Sequence, residues 1–337
     1  MKKTAEFVSL GHPDKTSDYI SSYILDRMIE QDENVRYAVE VMLKDNNVIL
    51  GGEIGGKVDL TGLRRYVIEA LAEVGYNDDY AETWQDKAIE PAKVKVINLI
   101  GQQSCEISQG VEQNGWGDQG VFVGYACKGE GLINRELFLA RKLNDALYDL
   151  AKNDRRLGLD IKTQITLDDD GKTATAIAAV PMLEDVDLRD FVCKTLGEIP
   201  QSIIINGTGR YTCHSSIADC GITGRKLAVD FYSTACPVGG GSPWTKDASK
   251  ADITLNLYAR KLAIEYLRDN DECFVYLSSC IGKACLPSAA VKVIKAGEVK
   301  TDNLTINKTP RELIAELGLN KPIFAQLCRD SFVKSIK

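Results

Sequence analysis

The order of predicted helices and strands repeats three times along the chain, and this repeat constrains the fold more than any single motif. Each round runs helix, strand, strand, helix and strand, as judged from apolar residues spaced for helices or for strands. The rounds begin near residues 14, 134 and 251, so successive rounds start 120 and 117 residues apart. In the third round a helix stands where the last strand is expected. This near-constant interval predicts three similar α+β units, each with helices on one face of a small sheet.

The apolar pattern also sets the predicted bounds of these elements. The first round comprises a helix over 14–31, strands over 36–43 and 47–54, a helix over 59–74 and a strand over 93–100. The second comprises a helix over 134–153, strands over 160–167 and 172–180, a helix near 185–197 and a strand over 201–206. The third comprises a helix over 251–267, strands over 272–279 and 288–295 and a helix near 309–317.

Composition excludes several classes of protein. With 44% hydrophobic and 26% charged residues, and no apolar run near the ~20 residues that span a bilayer, the chain is predicted to be globular, with no membrane segment. A net charge of −7 argues against a general nucleic-acid binder, which needs a basic face. No apolar segment follows the first lysines, so no signal peptide is predicted and a cytoplasmic location is expected. The ten cysteines include no C-x-x-C pair, so they are predicted to be reduced thiols, mostly buried.

Three glycine-rich loops, over 101–120, 206–224 and 236–250, are the candidate sites of chemistry, because long loops in a compact chain are usually functional, disordered or misassigned. The first contains GWGDQG, which fits the G-x-G-x-x-G pattern. A dinucleotide site needs a helix directly after this pattern, whereas the strand-like VFVGYAC follows here. The chain also lacks a G-x-x-x-x-G-K-[ST] phosphate loop. A bound nucleotide would therefore be held by another arrangement.

The third loop, GGGSPWTKDASKAD, brings two cations and two carboxylates to the start of a helix. These residues are Lys246, Asp247, Lys250 and Asp252. Ammonium groups neutralise phosphate oxygens and carboxylates hold Mg²⁺, so the loop suits a polyphosphate with that metal. A solvated loop with ion pairs of little net value explains the same residues. The loop alone leaves both interpretations open.

The middle loop offers phosphate and base contacts. Arg225 and Lys226, flanked by a glycine, could hold phosphate, and Tyr211 could stack on a base. An aromatic residue beside a strand is more often part of the core. His214, which lies among serines, is predicted to be a polar loop residue without a ligand role.

The segment SLGHPDKTSD holds one of only two histidines in the chain. Pro13 favours a turn that starts a helix. Lys15 would then lie in the first turn, where a cation opposes the partial positive charge of the free N–H groups. The position of Lys15 therefore predicts an anion close to its ammonium group, and a bound phosphate chain is the expected one.

Nine strings in the sequence together resemble the S-adenosylmethionine synthetase family. They are GHPDKTSD, VILGGEI, IGQQSCEISQGV, GDQGVFVGYA, DIKTQIT, INGTGRY, ADCGITGRK, GGGSPWTKDASKAD and LIAELGLNKPIF. The resemblance covers nearly the whole chain in family order. It implies an α+β fold of three similar α/β-sandwich-type units (βαββαβ-like) around a pseudo-threefold axis. The units would comprise 1–10 with 132–209, 11–112 with 210–250, and 113–131 with 251–337.

The resemblance also implies a reaction and its cofactors. ATP and L-methionine would give S-adenosylmethionine, a transferase step in one-carbon metabolism. The methionine sulfur would attack C5′ of ATP by SN2 displacement, and the tripolyphosphate would then be hydrolysed to pyrophosphate and phosphate. Mg²⁺, two per site, and K⁺ would be required. Members form homodimers or dimers of dimers with active sites at the subunit interface, and they need neither nucleic acid nor membrane.

Each site role is carried over by resemblance to one position of this chain. His12 would lie beside the leaving 5′ oxygen, Asp14 and Asp252 would bind Mg²⁺, and Glu40 would bind K⁺. The polyphosphate cations would be Lys162, Arg225, Lys226, Lys246 and Lys250. Glu53 and Gln103 would bind methionine, Asp118 and Asp219 would contact methionine or ribose, and Tyr211 would stack on adenine.

The sequence departs from the family pattern at four places. The loop that gates the site is short, QSCEI replaces the usual QSPDI, VGGGSPW lacks the usual histidine and phenylalanine, and the chain ends RDSFVKSIK. These departures affect lid closure and oligomer contacts more than the charged residues, so activity is expected.

Two other functions fit part of the pattern. One is a catalytically reduced homologue that acts as a regulatory or binding subunit, although a site that has lost its activity has no need of so many like charges. The other is a Mg²⁺-dependent nucleotide or polyphosphate hydrolase, which would not explain Glu53, Gln103 and Asp118.

Overall fold

A computed structural model describes residues 2–102 and 115–335, and its strands form three four-stranded sheets. The first sheet has the order β1 (Lys3–Val8), β6 (Lys162–Leu167), β7 (Thr173–Ala179) and β8 (Ser202–Ile205). The second has the order β9 (Gly221–Ile222), β2 (Arg36–Lys44), β3 (Asn47–Gly55) and β4 (Lys95–Gln102). The third has the order β5 (Gly120–Cys127), β10 (Glu272–Ser279), β11 (Ser288–Lys295) and β12 (Glu298–Asn303).

The three sheets share one plan. Each has a central antiparallel hairpin, an edge strand from a distant part of the chain, and a last strand that follows the hairpin in sequence. The last strand is parallel in the first two sheets, where a helix precedes it, and antiparallel in the third. The predicted fold class, α+β with three similar units, is confirmed. The residue bounds of the three units stay a prediction.

The fourth strand of the third sheet, β12, was not predicted from the sequence. It follows β11 through a two-residue turn at Ala296 and Gly297, both with left-handed φ (49° and 83°). Such a tight turn joins two antiparallel strands directly, without a crossover helix. The fourth strand therefore precedes the helix predicted near 309–317 and does not replace it. All six residues of β12, EVKTDN, are exposed. A strand with both faces exposed lacks the alternation of apolar and polar residues that signals a strand in a sequence.

The described ranges contain ten helices, several of which pack against these sheets. They are α1 (Pro13–Ile29), α2 (Leu63–Val74), α3 (Asp78–Trp84), α4 (Arg135–Asn153), α5 (Arg189–Leu196), α6 (Ser215–Ala218), α7 (Leu227–Asp230), α8 (Ala251–Leu267), α9 (Pro310–Glu316) and α10 (Phe324–Ser335). Short 3₁₀ turns cover Gln85–Lys87, Pro91–Lys93 and Glu130–Leu132. The predicted helix over 59–74 begins four residues late, because the Asp59 carboxylate accepts hydrogen bonds from Thr61 and holds 59–62 in a turn.

Helix α1 is buried on nearly every side. It contacts α2, β2, β9 and α10, and Ile20, Ile24 and Met28 lie in the core. Its polar residues are buried too, including Ser17 and Asp18. A buried polar group must be hydrogen-bonded, so α1 fixes the positions of the neighbours that satisfy it.

Two features of composition can be checked against the fold. None of the helices that the structure describes is both long enough and apolar enough to cross a membrane. The nine cysteines within 2–102 and 115–335 are all free thiols, but only four of them are buried. The expectation that most cysteines are buried is therefore wrong, because several lie in loops.

Candidate active site

His12 caps the helix that carries the first candidate carboxylate. Its backbone is extended (φ −65°, ψ 134°), as expected before a proline, and its Nδ1 accepts a hydrogen bond from the Asp14 N–H at 3.2 Å. A neutral imidazole that accepts at Nδ1 carries its proton on Nε2. Burial, with Lys226 and Lys162 nearby, lowers the pKa of His12 to about 3. The ring is therefore neutral in the described structure.

Asp14 forms a buried ion pair with Lys226. The Lys226 Nζ lies 2.6 Å from Oδ2, and the Ile222 N–H donates to Oδ1 at 2.9 Å. Arg225 approaches Oδ1 at 3.8 Å. Burial alone would raise the pKa of Asp14, but the Lys226 and Ile222 hydrogen bonds outweigh it and the pKa falls below its ordinary value. Asp14 is thus an ionised carboxylate at the entrance of α1.

Asp252 repeats this arrangement in the first turn of α8. Its Oδ2 lies 2.5 Å from the Lys246 Nζ, and its Oδ1 accepts from the Gly241 N–H at 2.7 Å. Gly240 has a positive φ of 78°, and a Cβ there would lie 2.8 Å from Asp252 Oδ1. The glycine run therefore lets the backbone approach the carboxylate closely.

Glu40, in the middle of β2, connects the two carboxylate–lysine pairs. One of its oxygens accepts a very short hydrogen bond from Thr223, and the other accepts from Thr245 at 3.0 Å. Thr223 follows the Asp14 contact at Ile222, and Thr245 precedes Lys246. The loops after β9 and before α8 are therefore held at the same part of β2.

The remaining predicted cations are Lys162, Arg225 and Lys250, and the first two lie near His12 or Asp14. Lys162 is exposed at the start of β6, opposite Val8, and close enough to His12 to lower its pKa. Arg225 is half exposed, with its guanidinium hydrogen-bonded to the Cys220 carbonyl at 3.3 Å. Lys250 is the half-buried residue that precedes α8.

The predicted methionine and nucleoside residues are less closely grouped. Glu53 pairs with Ala38 in the β2–β3 ladder, so its side chain lies on the same face of the sheet as that of Glu40. Asp118 and Asp219 are exposed, and each accepts from the next backbone N–H, at 2.7 and 2.8 Å. Tyr211 is partly buried beside Met182, whose N–H donates to the Tyr211 carbonyl. Gln103 lies outside the described residues.

Lys15 contradicts its sequence prediction. Its ammonium group lies 2.7 Å from Asp230 Oδ1 and 3.2 Å from Asp18 Oδ2, and the side chains of all three residues are at most 4% exposed. Burial would lower the pKa of Lys15, but the carboxylates, Asp230 first, raise it. Burial raises the pKa of Asp18 to about 7. The predicted anion exists, but it is supplied by the protein's own carboxylates instead of a bound phosphate chain.

Two further residues were not anticipated. His214 was predicted to be a polar loop residue, yet it is 1% exposed and enclosed by aromatic rings. Asp160 is also buried, and its Oδ2 accepts from the Ser215 N–H at 3.1 Å, whereas Oδ1 has no hydrogen-bond partner within the described residues. Burial raises the pKa of Asp160 to about 6, against the attraction of Lys162. The only sequence signal for Asp160 was its position two residues before Lys162.

The donor set fits a metal that is shared with a phosphate ligand. No group of three His, Cys, Asp or Glu side chains within 2–102 and 115–335 is arranged to hold a metal by itself. Asp14 and Asp252 nevertheless offer buried carboxylate oxygens beside lysines. Mg²⁺ commonly takes one or two carboxylates and completes its coordination with phosphate and water. Glu40, with two hydroxyl neighbours, offers a separate oxygen-rich position.

Comparisons with known proteins agree on one family. The N-terminal domain of S-adenosylmethionine synthetase matches residues 1–105, and the C-terminal domain matches residues 213–335. S-adenosylmethionine synthase 2 of Rhodospirillum rubrum is 32% identical over 355 residues, which cover 96% of this chain and 89% of that protein. The Paramagnetospirillum magneticum synthase is 31% identical over 356 residues, with 96% and 90% covered. A solved Campylobacter jejuni S-adenosylmethionine synthetase, described as unusual, superposes with a TM-score of 0.85 at 31% identity, covering 98% of this chain and 94% of that one.

The internal role of Lys15 makes a prediction about stability. Lys15→Met would leave two buried carboxylates without a counter-charge, and the free energy of unfolding should fall by about 3–5 kcal/mol in urea titrations. The matched control is Lys93→Met, since Lys93 lies 2.7 Å from Glu90 but is 62% exposed. Its loss should cost less than about 1 kcal/mol. A Lys15 variant as stable as the control, but with weakened tripolyphosphate binding, would restore the phosphate role.

Proposed function

The chain belongs to the S-adenosylmethionine synthetase family and is a methionine adenosyltransferase, and on that premise we propose how its residues perform the reaction. The methionine sulfur donates a lone pair to C5′ of ATP, the C5′–O bond breaks, and tripolyphosphate leaves. Water then cleaves the tripolyphosphate to pyrophosphate and phosphate. A thioether is already a good nucleophile, so the protein's task is to align two substrates and to stabilise charge on the leaving oxygen.

The observation that carries this proposal is the pair of buried helical carboxylates, each paired with a lysine on one of the two loops that Glu40 connects. Lys226 and Lys246 can turn from their carboxylates to phosphate oxygens, because an ammonium on a flexible stem bonds equally well to either anion. Asp14 and Asp252 would then be free to hold Mg²⁺, which neutralises phosphate charge when it is bound. Lys162, Arg225 and Lys250 complete the group of cations around the polyphosphate.

His12 is proposed to donate its Nε2–H to the 5′ oxygen as the bond breaks. The Asp14 N–H occupies Nδ1, so Nε2 is the nitrogen left to donate. A neutral donor placed where charge develops stabilises the transition state more than the ground state. The same cap fixes the ring relative to the proposed metal ligand two residues later.

The other contacts divide between the two substrates. Glu53 and Gln103 are proposed for methionine, Asp118 and Asp219 for methionine or ribose, and Tyr211 for stacking on adenine. The free Oδ1 of Asp160 adds an acceptor for a hydroxyl or amino group of the nucleoside. Glu40 is proposed to hold K⁺, since carboxylate and hydroxyl oxygens suit a hard cation.

We also propose a homodimer, or a dimer of dimers, with the site at the subunit boundary. The face of the second sheet that carries Glu40 and Glu53 also carries exposed apolar residues: Met42, Ile97 and Leu99 are 37%, 43% and 64% exposed. Leu99 and Glu40 both pair with Gly51, so they lie in one row across the sheet. A second copy on this face would bury the apolar residues beside the acidic ones. A cytoplasmic location stays a prediction.

The reaction is tested by measuring all its products. The protein incubated with ATP, methionine, Mg²⁺ and K⁺ should release S-adenosylmethionine, pyrophosphate and phosphate in equal amounts. Phosphate without S-adenosylmethionine would support a polyphosphate hydrolase instead, and the absence of turnover, despite ATP binding, would support a regulatory subunit. Omission of either cation should reduce the rate.

The role of His12 predicts that its substitution slows S-adenosylmethionine formation far more than tripolyphosphate hydrolysis. His12→Asn keeps a helix-capping acceptor but lacks a donor at the Nε2 position, so S-adenosylmethionine formation should slow by about 10²–10³-fold. Hydrolysis of added tripolyphosphate should change by less than about tenfold, since no 5′ oxygen leaves in that step. His12→Ala serves as the comparison that also removes the cap. Equal losses in both steps would argue against contact with the leaving oxygen.

The dimer predicts a change in mass when the exposed face is altered. Wild-type protein should sediment at a multiple of the 37.0 kDa chain mass, whereas Leu99→Lys should shift it toward the monomer, because a buried lysine without a partner is unfavourable. Val299→Lys is the control, because Val299 is similarly exposed, at 59%, but lies on edge strand β12 of another sheet. A wild-type monomer under assay conditions would contradict the shared site.

A further inference from the structure

We propose that His214 and Tyr80 are positioning residues that hold Tyr211 and Asp160 in place for the nucleoside of ATP. Neither residue was singled out as a site residue from the sequence. The inference rests on the proposed function, because it takes Tyr211 and Asp160 as the nucleoside contacts.

Three hydrogen bonds involve His214 and Tyr80, and the donor of each one can be assigned. His214 Nδ1 lies 2.8 Å from the Thr212 carbonyl, which can only accept, so Nδ1 carries the proton. His214 Nε2 must then accept, and the Tyr80 hydroxyl, 2.5 Å away, donates to it. The Leu159 N–H donates to the same hydroxyl oxygen at 3.1 Å. The tautomer of His214 is therefore set by its partners.

These bonds join two segments that both carry nucleoside contacts. Leu159 precedes Asp160, and Thr212 follows Tyr211. The Ser215 N–H also donates to Asp160 Oδ2. Ser215 has a left-handed φ of 56°, which an L residue adopts only when its surroundings impose it. The spacing between Tyr211 and Asp160 thus depends on the imidazole that lies between their segments.

Aromatic rings enclose the imidazole. The Trp84 ring meets it edge-on with centroids 4.7 Å apart, and Tyr80 stacks on Trp84 at 5.8 Å. Burial lowers the pKa of His214 to about 4, so the ring carries no charge near neutrality. The Tyr76 hydroxyl, beside Tyr80, donates to the Gly11 carbonyl at 2.6 Å, directly before His12. The same cluster therefore supports both the nucleoside contacts and the segment at the leaving oxygen.

The free oxygen of Asp160 distinguishes this role from that of an ordinary core histidine. Asp160 is 9% exposed, and its Oδ1 has no hydrogen-bond partner in the described part of the chain. A buried acceptor without a partner is costly unless a ligand donor arrives. Because Oδ2 is held by Ser215, which follows His214, the orientation of Oδ1 depends on the histidine segment.

The test compares nucleotide binding with tripolyphosphate hydrolysis in single-atom and ring variants. Tyr80→Phe removes one oxygen and His214→Phe removes both imidazole hydrogen bonds while keeping a ring. Each should weaken binding of adenylyl imidodiphosphate with Mg²⁺ about tenfold by calorimetry, corresponding to the loss of one or two buried hydrogen bonds. The KM for added tripolyphosphate should change less than about twofold, because that substrate has no nucleoside. The double variant should weaken nucleotide binding by no more than about tenfold, because both residues belong to one chain of hydrogen bonds.

Controls separate positioning from general damage. Tyr23→Phe makes the same chemical change at a hydroxyl whose hydrogen-bond partner is Glu69 instead of a residue of the His214 cluster, and it should leave both measurements unchanged. His214→Gln keeps an acceptor near Nε2 and should recover part of the nucleotide affinity that His214→Phe loses. Equal weakening of nucleotide and tripolyphosphate binding, or no change in either, would overturn the proposal. A wild-type protein that binds the nucleotide but forms no S-adenosylmethionine would overturn the proposed function alone, since the binding comparison remains.

Discussion

The ion pair between Asp14 and Lys226 is the interaction on which the rest of the site depends. It joins residues 212 positions apart and brings the start of α1 to the loop after β9. Several cations converge on this region, and without carboxylates among them their repulsion would separate the loops that carry them. Asp14 and Asp252 form ion pairs with Lys226 and Lys246, at 2.6 and 2.5 Å. The same carboxylates and ammonium groups would bind a metal and a polyphosphate in the proposed reaction.

A second group of charges is buried, and its ion pairs lie within the protein. Lys15, Asp18 and Asp230 are buried together, and the Trp244 N–H donates to Asp230 at 2.8 Å. The Gly224 N–H donates to Asp18 at 2.9 Å, immediately before Arg225 and Lys226. The loop that carries two of the candidate phosphate cations is therefore tied to the body of α1. The buried polar side chains of α1 are satisfied by hydrogen bonds to loops that have little secondary structure of their own.

Local patterns predicted the helices and hairpins well, but long-range partners could not be read from the chain. The apolar stripe of α1 and the turn before β3 are signals within a few residues, and both elements formed as expected. The Lys15 ammonium contacts Asp230, which lies 215 residues away in the sequence. The first-turn position of Lys15 therefore indicated only that an anion was needed. His214 finds Tyr80 134 residues away, and nothing near either residue signals the pair. The resemblance supplied roles for candidate residues, and the fold brings most of those it describes to neighbouring loops and strands, while the free oxygen of Asp160 emerged only from three-dimensional packing.

In the proposed reaction the two carboxylate–lysine pairs open to receive a phosphate chain together with Mg²⁺. Calorimetric titration of tripolyphosphate into the protein, with and without Mg²⁺, tests this step most directly. Binding should be at least about tenfold tighter with Mg²⁺, and Asp14→Asn should remove most of that gain while leaving metal-free binding little changed, because the lysines alone then hold the anion. Tripolyphosphate affinity that is the same with and without Mg²⁺, or a metal effect that survives Asp14→Asn combined with Asp252→Asn, would contradict the account.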